Sequence, residues 1–203
     1  MTAARTGSRI AGMTCSYRYH TPDGFDDMLM ESDGEFLTGL LFIGQGGREN
    51  GDKHGPCPHS LDGRNEAHEE TARPVFQETA RWLDVYFSGR QPDFTPAYRI
   101  QKLTPFRKEV CDIMCSISFG ETRTYGEIAA EIARRHGSAK MSAQAVGGAV
   151  GWNPLCILVP CHRVIGAHNK LTGYGGGIQN KIALLKLEGH DINGFAMPDG
   201  RNI

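Results

Sequence analysis

Ile157-Leu158-Val159-Pro160-Cys161-His162-Arg163-Val164-Ile165-Gly166 is an apolar run that stops at a proline and delivers a cysteine beside an imidazole and a guanidinium group. Three consecutive apolar residues predict a short, fully buried strand. Pro160 ends it, because proline has no N–H for a ladder and holds Val159 extended. Cys161 is therefore expected on a turn. Positive charge next to a thiol lowers its pKa and favours the nucleophilic thiolate. Taken alone, however, a single cysteine is more often a packed, inert core residue, so the surroundings have to decide.

Downstream, Ile178, Ile182 and Leu185 share one face of a helix over about 178–187 that stops at Gly189. Glu188 falls in its last turn, where the helix dipole disfavours a carboxylate, so a cation should lie nearby. Residues after Asp191 read as a tail. Upstream, Asn153-Pro154 predicts a turn. Thr124-Tyr125-Gly126-Glu127 has the form of a capping box opening a helix to about Arg135. After a break at Gly137-Ser138, a second helix runs from Ser142 through Ala143, Gln144, Ala145, Val146, Gly147, Gly148 and Ala149. Two helices with a tight break make a helix-turn-helix. The second has almost no long side chain with which to read base edges, so it suits close approach to backbone or close helix packing rather than major-groove readout. Thr104-Pro105 offers an N-cap and a first-turn proline for a further helix carrying Phe106, Val110, Ile113, Met114 and Ile117. Cys111 and Cys115 on that helix read as packing.

The first hundred residues have a different pattern. Residues 1–15 read as a disordered tail. Residues 17–20, 25–30 and 36–43 predict three short strands joined by Thr-Pro-Asp-Gly and Ser-Asp-Gly turns, most simply an antiparallel meander. Residues 44–70 form a polar, glycine-rich loop, longer than compact domains usually hold. His54, Cys57 and His59 within it lack four-ligand metal spacing and read as solvated. Val75, Phe76, Leu83, Tyr86 and Phe87 recur at helical spacing up to Gly89 and should cover the meander, with residues 94–98 as a linker.

At 203 residues the chain has enough length to bury about 70% of its unfolded surface. A net charge of −1 excludes a generally sticky polycation. The charge is unevenly divided: residues 104–190 hold 10 Lys/Arg against 6 Asp/Glu, leaving 12 against 17 elsewhere. A polyanionic partner is thus expected for the second half only. Six irregularly spaced cysteines and no run of signal-peptide or membrane-span length point to a reducing, cytoplasmic setting with no membrane partner.

Tyr125 at a helix start, Asn153-Pro154, Pro160-Cys161-His162-Arg163-Val164, Gly173-Tyr174-Gly175-Gly176-Gly177 and Leu187-Glu188-Gly189-His190 occur in this order. Over roughly 104–190 the sequence resembles the O6-alkylguanine-DNA alkyltransferases, also called methylated-DNA:protein-cysteine methyltransferases, and more loosely over the first hundred residues. The resemblance implies an α/β (α+β) protein. Residues 1–103 would form a ribonuclease H-like domain, a small antiparallel sheet with a covering helix. Residues 104–191 would form a mostly helical, winged-helix-like domain with the helix-turn-helix in the DNA minor groove, followed by a tail over 192–203. It further implies that Cys161 takes the alkyl group from guanine O6, and from thymine O4, in one irreversible displacement on a flipped nucleotide. His162 would be the base acting through a water, Glu188 its orienting carboxylate, Tyr125 the donor to the leaving guanine, and Asn153 the residue holding the thiol in place. Ala143, Gln144, Gly147, Arg163, Tyr174, Gly175 and Lys181 would contact substrate or DNA. The implied partner is DNA containing O6-alkylguanine, with no obligate protein partner, no cofactor and no metal. Gln144 departs from the pattern, since many members carry an arginine there to fill the gap left by the flipped base. The competing readings are a non-catalytic alkylated-DNA-binding protein of the same fold, a helix-turn-helix regulator and a Cys-His hydrolase. Relatives of the first kind typically lack the cysteine. The regulator is weakened by the side-chain-poor second helix, and the hydrolase would need an oxyanion site that the sequence does not supply.

Overall fold

The computed structural model describes residues 14–43 and 66–197, with side chains described from residue 73 in the second stretch. Strands β1 (Cys15–Tyr19), β2 (Met28–Ser32) and β3 (Leu37–Phe42) form an antiparallel meander in the order β1-β2-β3. The expected topology is present, with shifted edges. Cys15 already belongs to β1, whereas the tail was expected to reach it. Residues 25–27 belong to the first turn rather than to β2, because the Asp27 carboxylate accepts from the Thr21 N–H and the Arg18 guanidinium while the Thr21 hydroxyl donates to the carbonyls of Phe25 and Asp26. Those side-chain bonds satisfy backbone that a longer strand would otherwise have to pair.

Helix α1 (Glu66–Phe87) lays Val75, Phe76, Leu83, Tyr86 and Phe87 on the sheet, all buried. It begins nine residues before the first apolar-stripe residue, so residues 66–70 of the expected loop are helical, while residues 44–65 lie outside the described residues. The added turns are polar and carry no period to read. His54, Cys57 and His59 lie outside the described residues.

Helix α2 (Pro105–Cys115) is capped by the Thr104 hydroxyl, which accepts from the Arg107 N–H, and has proline in its first turn as predicted. Cys111 packs inward; Cys115 is exposed. Strand β4 (Arg123–Thr124) leads into α3 (Tyr125–Arg135), whose capping box is complete: the Thr124 hydroxyl accepts from Glu127 N–H and the Glu127 carboxylate accepts from Thr124 N–H. Helix α4 (Ala143–Gly151), capped by Ser142, packs on α3 and α2 through Val146, Ala149 and Val150. Strand β5 (Val164–Ile165) pairs in parallel with β4, and α5 (Ile178–Leu187) closes the molecule.

Two expectations fail here. The apolar run at 157–159 is not a strand: these residues form consecutive tight turns, with Ile157 at φ 70°. The strand partner goes instead to Leu155, through Leu40 N–H to Pro154 carbonyl at 2.8 Å and Cys156 N–H to Leu40 carbonyl at 2.8 Å. Residues 192–197 are not a tail. Leu171 N–H donates to the Ala196 carbonyl, and Ile192 and Phe195 cover a small core of Ile165, Leu171, Ile182 and Leu185.

One core runs through both halves of the chain, from Met28, Met30 and Leu40 through Leu83 and Tyr86 to Ile113, Ile128, Leu155 and Val159. Each fully buried aliphatic side chain in it contributes about 2 kcal/mol. The core therefore fixes the Cys161 segment against the first sheet.

Candidate active site

Cys161, His162 and Arg163 form a 3-10 turn, and all three side chains are buried. The turn is held from behind by one side chain. Asn153 Oδ1 accepts from Leu155 N–H at 3.0 Å, while Nδ2 faces the Val159 carbonyl at 2.8 Å, Cys161 Sγ at 3.0 Å and the Leu155 carbonyl at 3.2 Å. Two amide hydrogens serve three acceptors, so one bond is shared. This amide stands in for the missing strand ladder, and it stabilises negative charge on the sulfur. It also over-determines the left-handed backbone at Ile157, a conformation unfavourable for a β-branched residue. We expect Asn153→Ala to cost about 1–3 kcal/mol, because it leaves the buried Leu155 N–H unsatisfied and strips the Val159 carbonyl back to its one bond from Cys161 N–H. Chemical denaturation checks this, and an unchanged midpoint would contradict it.

The Cys161 thiol is drawn below its ordinary pKa. The largest cause is a hydrogen bond from the neighbouring Cys156 thiol; the Asn153 amide and the Lys181 ammonium add to it, and burial opposes. Cys156 itself is held well above its ordinary value, chiefly by its hydrogen bond to Cys161 and by burial. Lys181, expected at the pocket or on phosphate, is completely buried and donates to the Val164 carbonyl at 2.7 Å. Burial brings its pKa down to about 8, with the Cys161 thiolate pulling the other way.

Behind the thiol lies Glu188, the C-cap of α5. Its Oε1 accepts from His162 Nε2 at 2.8 Å, Arg163 Nη2 at 2.8 Å and the Tyr86 hydroxyl at 2.6 Å. Its Oε2 accepts from Arg163 Nε at 2.9 Å and Gly120 N–H at 3.2 Å. The cation required at this helix end is therefore Arg163, whose remaining amine donates to the Ile117 carbonyl at 2.7 Å. Arg163 was expected at DNA or substrate; instead it is buried against the carboxylate, since an unpaired buried Glu188 would cost several kcal/mol. Burial alone would raise the Glu188 pKa, yet His162 and Arg163 hold it well below the usual carboxylate range.

His162 has Nε2 committed to Glu188, while Nδ1 is buried with no hydrogen-bond partner among the described residues. The carboxylate was expected to make this imidazole more basic. Burial is the larger effect and brings its pKa below 6.5, with the Arg163 and Lys181 charges adding to the fall. The ring is neutral at pH 7, with Nδ1 able to accept a proton.

The remaining expected residues lie on α3, on α4 and in the segment before α5. The Tyr125 hydroxyl lies 3.0 Å from Thr172 Oγ1, and the tyrosine ring rests over Gly147. Ala143 and Gln144 are exposed at the start of α4. Tyr174 meets Phe42 of β3 edge-on at 6.4 Å, and Gly175 is exposed beside it. Gly176 admits no larger residue, because a Cβ there would sit 2.6 Å from the Phe42 ring and 2.7 Å from Tyr174. Sequence reasoning missed Tyr86, Cys156 and Thr172. Tyr86 looked like part of an apolar stripe, and only its hydroxyl among such residues hinted at a polar partner.

A lowered-pKa thiol in a fixed turn, an imidazole next to it in sequence and a multiply bonded carboxylate are the groups that cysteine-dependent group transfer requires. The family model for the DNA-binding domain of 6-O-methylguanine DNA methyltransferase matches residues 105–190. The methylated-DNA–protein-cysteine methyltransferase of Haemophilus influenzae is 34% identical over 176 residues, 87% of this chain and 88% of that protein. Its Mycobacterium tuberculosis counterpart is 50% identical over 114 residues, 56% of this chain and 66% of that protein. The crystal structure of the M. tuberculosis O6-methylguanine methyltransferase aligns with a TM-score of 0.61 at 34% identity, covering 87% of this chain and 93% of that one. A structure of the M. tuberculosis protein in complex with DNA aligns at 0.60, also at 34% identity, over 86% and 91%. The chain belongs to the methylated-DNA–protein-cysteine methyltransferase family.

Proposed function

We propose that this protein repairs O6-alkylguanine in DNA by moving the alkyl group onto Cys161. The observation that carries the reading is the Asn153 amide 3.0 Å from a buried Cys161 sulfur, with His162 and Glu188 bonded behind it. The thiol proton passes to His162 Nδ1 through a water. The thiolate attacks the alkyl carbon in line with the C–O6 bond; the S–C bond forms as that bond breaks. The electron pair stays on the guanine, where a Tyr125 hydroxyl, steadied by Thr172, donates to the developing ring charge. Glu188 keeps Nε2 protonated and so leaves Nδ1 free to accept. Lys181 acts as a buried cation near the sulfur.

The product is a thioether, and Cys156 could only take the alkyl group over, never release it. Each molecule therefore acts once. Transfer of radiolabelled methyl from DNA to protein, saturating at one equivalent, tests the reading; sustained turnover would overturn it.

A base inside the stack is out of reach, so the nucleotide must be extruded at a cost of a few kcal/mol. Exposed Ala143 and Gln144 and half-buried Gly147 give α4 a low surface that can approach the minor groove, while Tyr174 and Gly175 wall the pocket for the flipped base. The division into units over 1–103 and 104–191 is part of the same proposal, supported by the stretch over 88–104, without helix or strand, that separates α1 from α2. The cytoplasmic assignment rests on the cysteine usage. Among the described residues no helix is long and apolar enough to cross a membrane.

Gln144→Arg is expected to tighten duplex binding more than it speeds transfer from free O6-benzylguanine. Arginine adds a permanent charge and a planar group able to stack where the guanine was. If the charge reaches a phosphate, the salt slope of binding should steepen by about one; if it only fills the stack, affinity rises at constant slope. Unchanged or weaker duplex affinity would remove Gln144 from the vacated base position.

A further inference from the structure

Tyr86 lies in α1, more than seventy residues before Cys161, and its exposure is 1%. Its hydroxyl donates to Glu188 Oε1 at 2.6 Å and lies 3.2 Å from His162 Nε2, closing a three-membered network with the 2.8 Å bond between those two residues. Aromatic packing fixes the ring: Trp82 stacks on it at 5.5 Å, and Phe87, Phe119 and the His162 imidazole meet it at steep angles. A tyrosine needed only for packing could be phenylalanine. Here the hydroxyl is buried, aimed at the carboxylate and satisfied by it.

We propose that Tyr86 is a positioning residue for alkyl transfer, which the sheet-bearing half of the chain supplies to hold Glu188 and keep His162 in the tautomer with a bare Nδ1. The hydroxyl hydrogen goes to Oε1 and its oxygen can accept from Nε2–H, so the imidazole proton is held at Nε2 from two sides. It also takes up part of the carboxylate's charge that would otherwise favour the imidazolium. The charged and titratable groups that act on His162 among the described residues are Lys181 of α5, Glu188 at its C-cap, Arg163 of its own turn, and Tyr86 of α1. Tyr86 alone comes from the first half of the chain. The ordinary tyrosine ionisation plays no part, since burial and the Glu188 charge keep this hydroxyl protonated far above pH 10.

The inference rests on the transfer reading for its kinetic consequence but not for its structural one, so the test has two arms. In Tyr86→Phe the ring packing survives. The imidazole 15N resonances of His162 should then titrate with a midpoint raised by roughly 0.5–1 unit, the size of one lost hydrogen bond to the carboxylate. Single-turnover transfer from free O6-benzylguanine should fall about tenfold, with its acid limb moved up by the same amount. In the Glu188→Gln background the Tyr86→Phe change should move neither midpoint further. An unmoved His162 midpoint in a folded Tyr86→Phe protein would overturn the role, whether or not the rate falls. If Tyr86→Phe fails to fold, the comparison is made with Trp82→Phe, which disturbs the stack but keeps the hydroxyl; a midpoint shift there as large as expected for Tyr86→Phe would assign the effect to packing and sink the proposal. Absence of any transfer by the parent protein would strike the transfer reading instead and leave the 15N arm intact.

Discussion

Cys161→Ala binds DNA carrying O6-methylguanine and leaves the lesion untouched, while the parent protein gains one methyl group per chain, at Cys161 and at no other cysteine. This is the expected result of meeting both proteins with lesion-bearing duplex and reading the peptides by mass. The expectation is not trivial, because Cys156 is a second buried thiol hydrogen-bonded to Cys161. Its thiol is held well up by the Cys161 hydrogen bond and by burial, so it remains protonated where Cys161 ionises. Cys111 is pushed up to about 11, chiefly by burial, and is equally unreactive. No Lys or Arg separates residues 156 and 161, so a single tryptic peptide carries both and fragment ions have to distinguish them. Methyl on Cys156 with Cys161 clean would end the mechanism, as would methylation of the alanine variant at the parent's rate.

Glu188→Gln should show the second-largest loss. Glutamine keeps the shape but removes the charge that Arg163 neutralises, and a buried guanidinium without its carboxylate costs about 3–5 kcal/mol. With the tautomer of His162 no longer enforced by a carboxylate, transfer should slow by ~10²-fold or more. The acid behaviour follows from the same group. Its pKa in the folded state is depressed below the ordinary 4.5. The stability it contributes is complete above that ordinary value and is lost as pH falls towards the folded one. His162 acts in the same direction: its folded pKa lies below 6.5, so protonation favours the unfolded chain as pH drops. The parent should therefore lose stability in acid more steeply than Glu188→Gln. Equal single-turnover rates together with superimposable acid melts would reduce Glu188 to an ordinary helix end.

Much of this site was legible because its residues announce themselves over short spans. The capping box at Thr124, the proline after Thr104 and the glycine stop after Glu188 are local signals, and each appears where local rules put it. The cation demanded by Glu188 was also foreseeable, but not that it would be Arg163, since nothing local tells a guanidinium whether to face DNA or a carboxylate in the core. The misreading of 157–159 has the same origin. An apolar run says only that a segment is buried, and here the buried segment coils around the Asn153 amide while Leu155 takes the strand partner. Tyr86 was hidden by periodicity, because its hydroxyl is spent on a carboxylate 102 residues away. The ends of β2 and α1 moved for a simpler reason: side-chain bonds around Asp27 and polar opening turns carry no period.

The pairing of Leu40 with the Leu155 segment also bears on the order in which the protein acquires its reactivity. Backbone contacts between residues so far apart close a large loop, and such closures come late and slowly when a chain folds. Until β3 has docked, the segment that the Asn153 amide ties together has no partner in the sheet, and until α5 has arrived Cys161 lacks the Lys181 charge and the Glu188 support. The lowered pKa of Cys161 thus depends on groups that only the folded chain brings together.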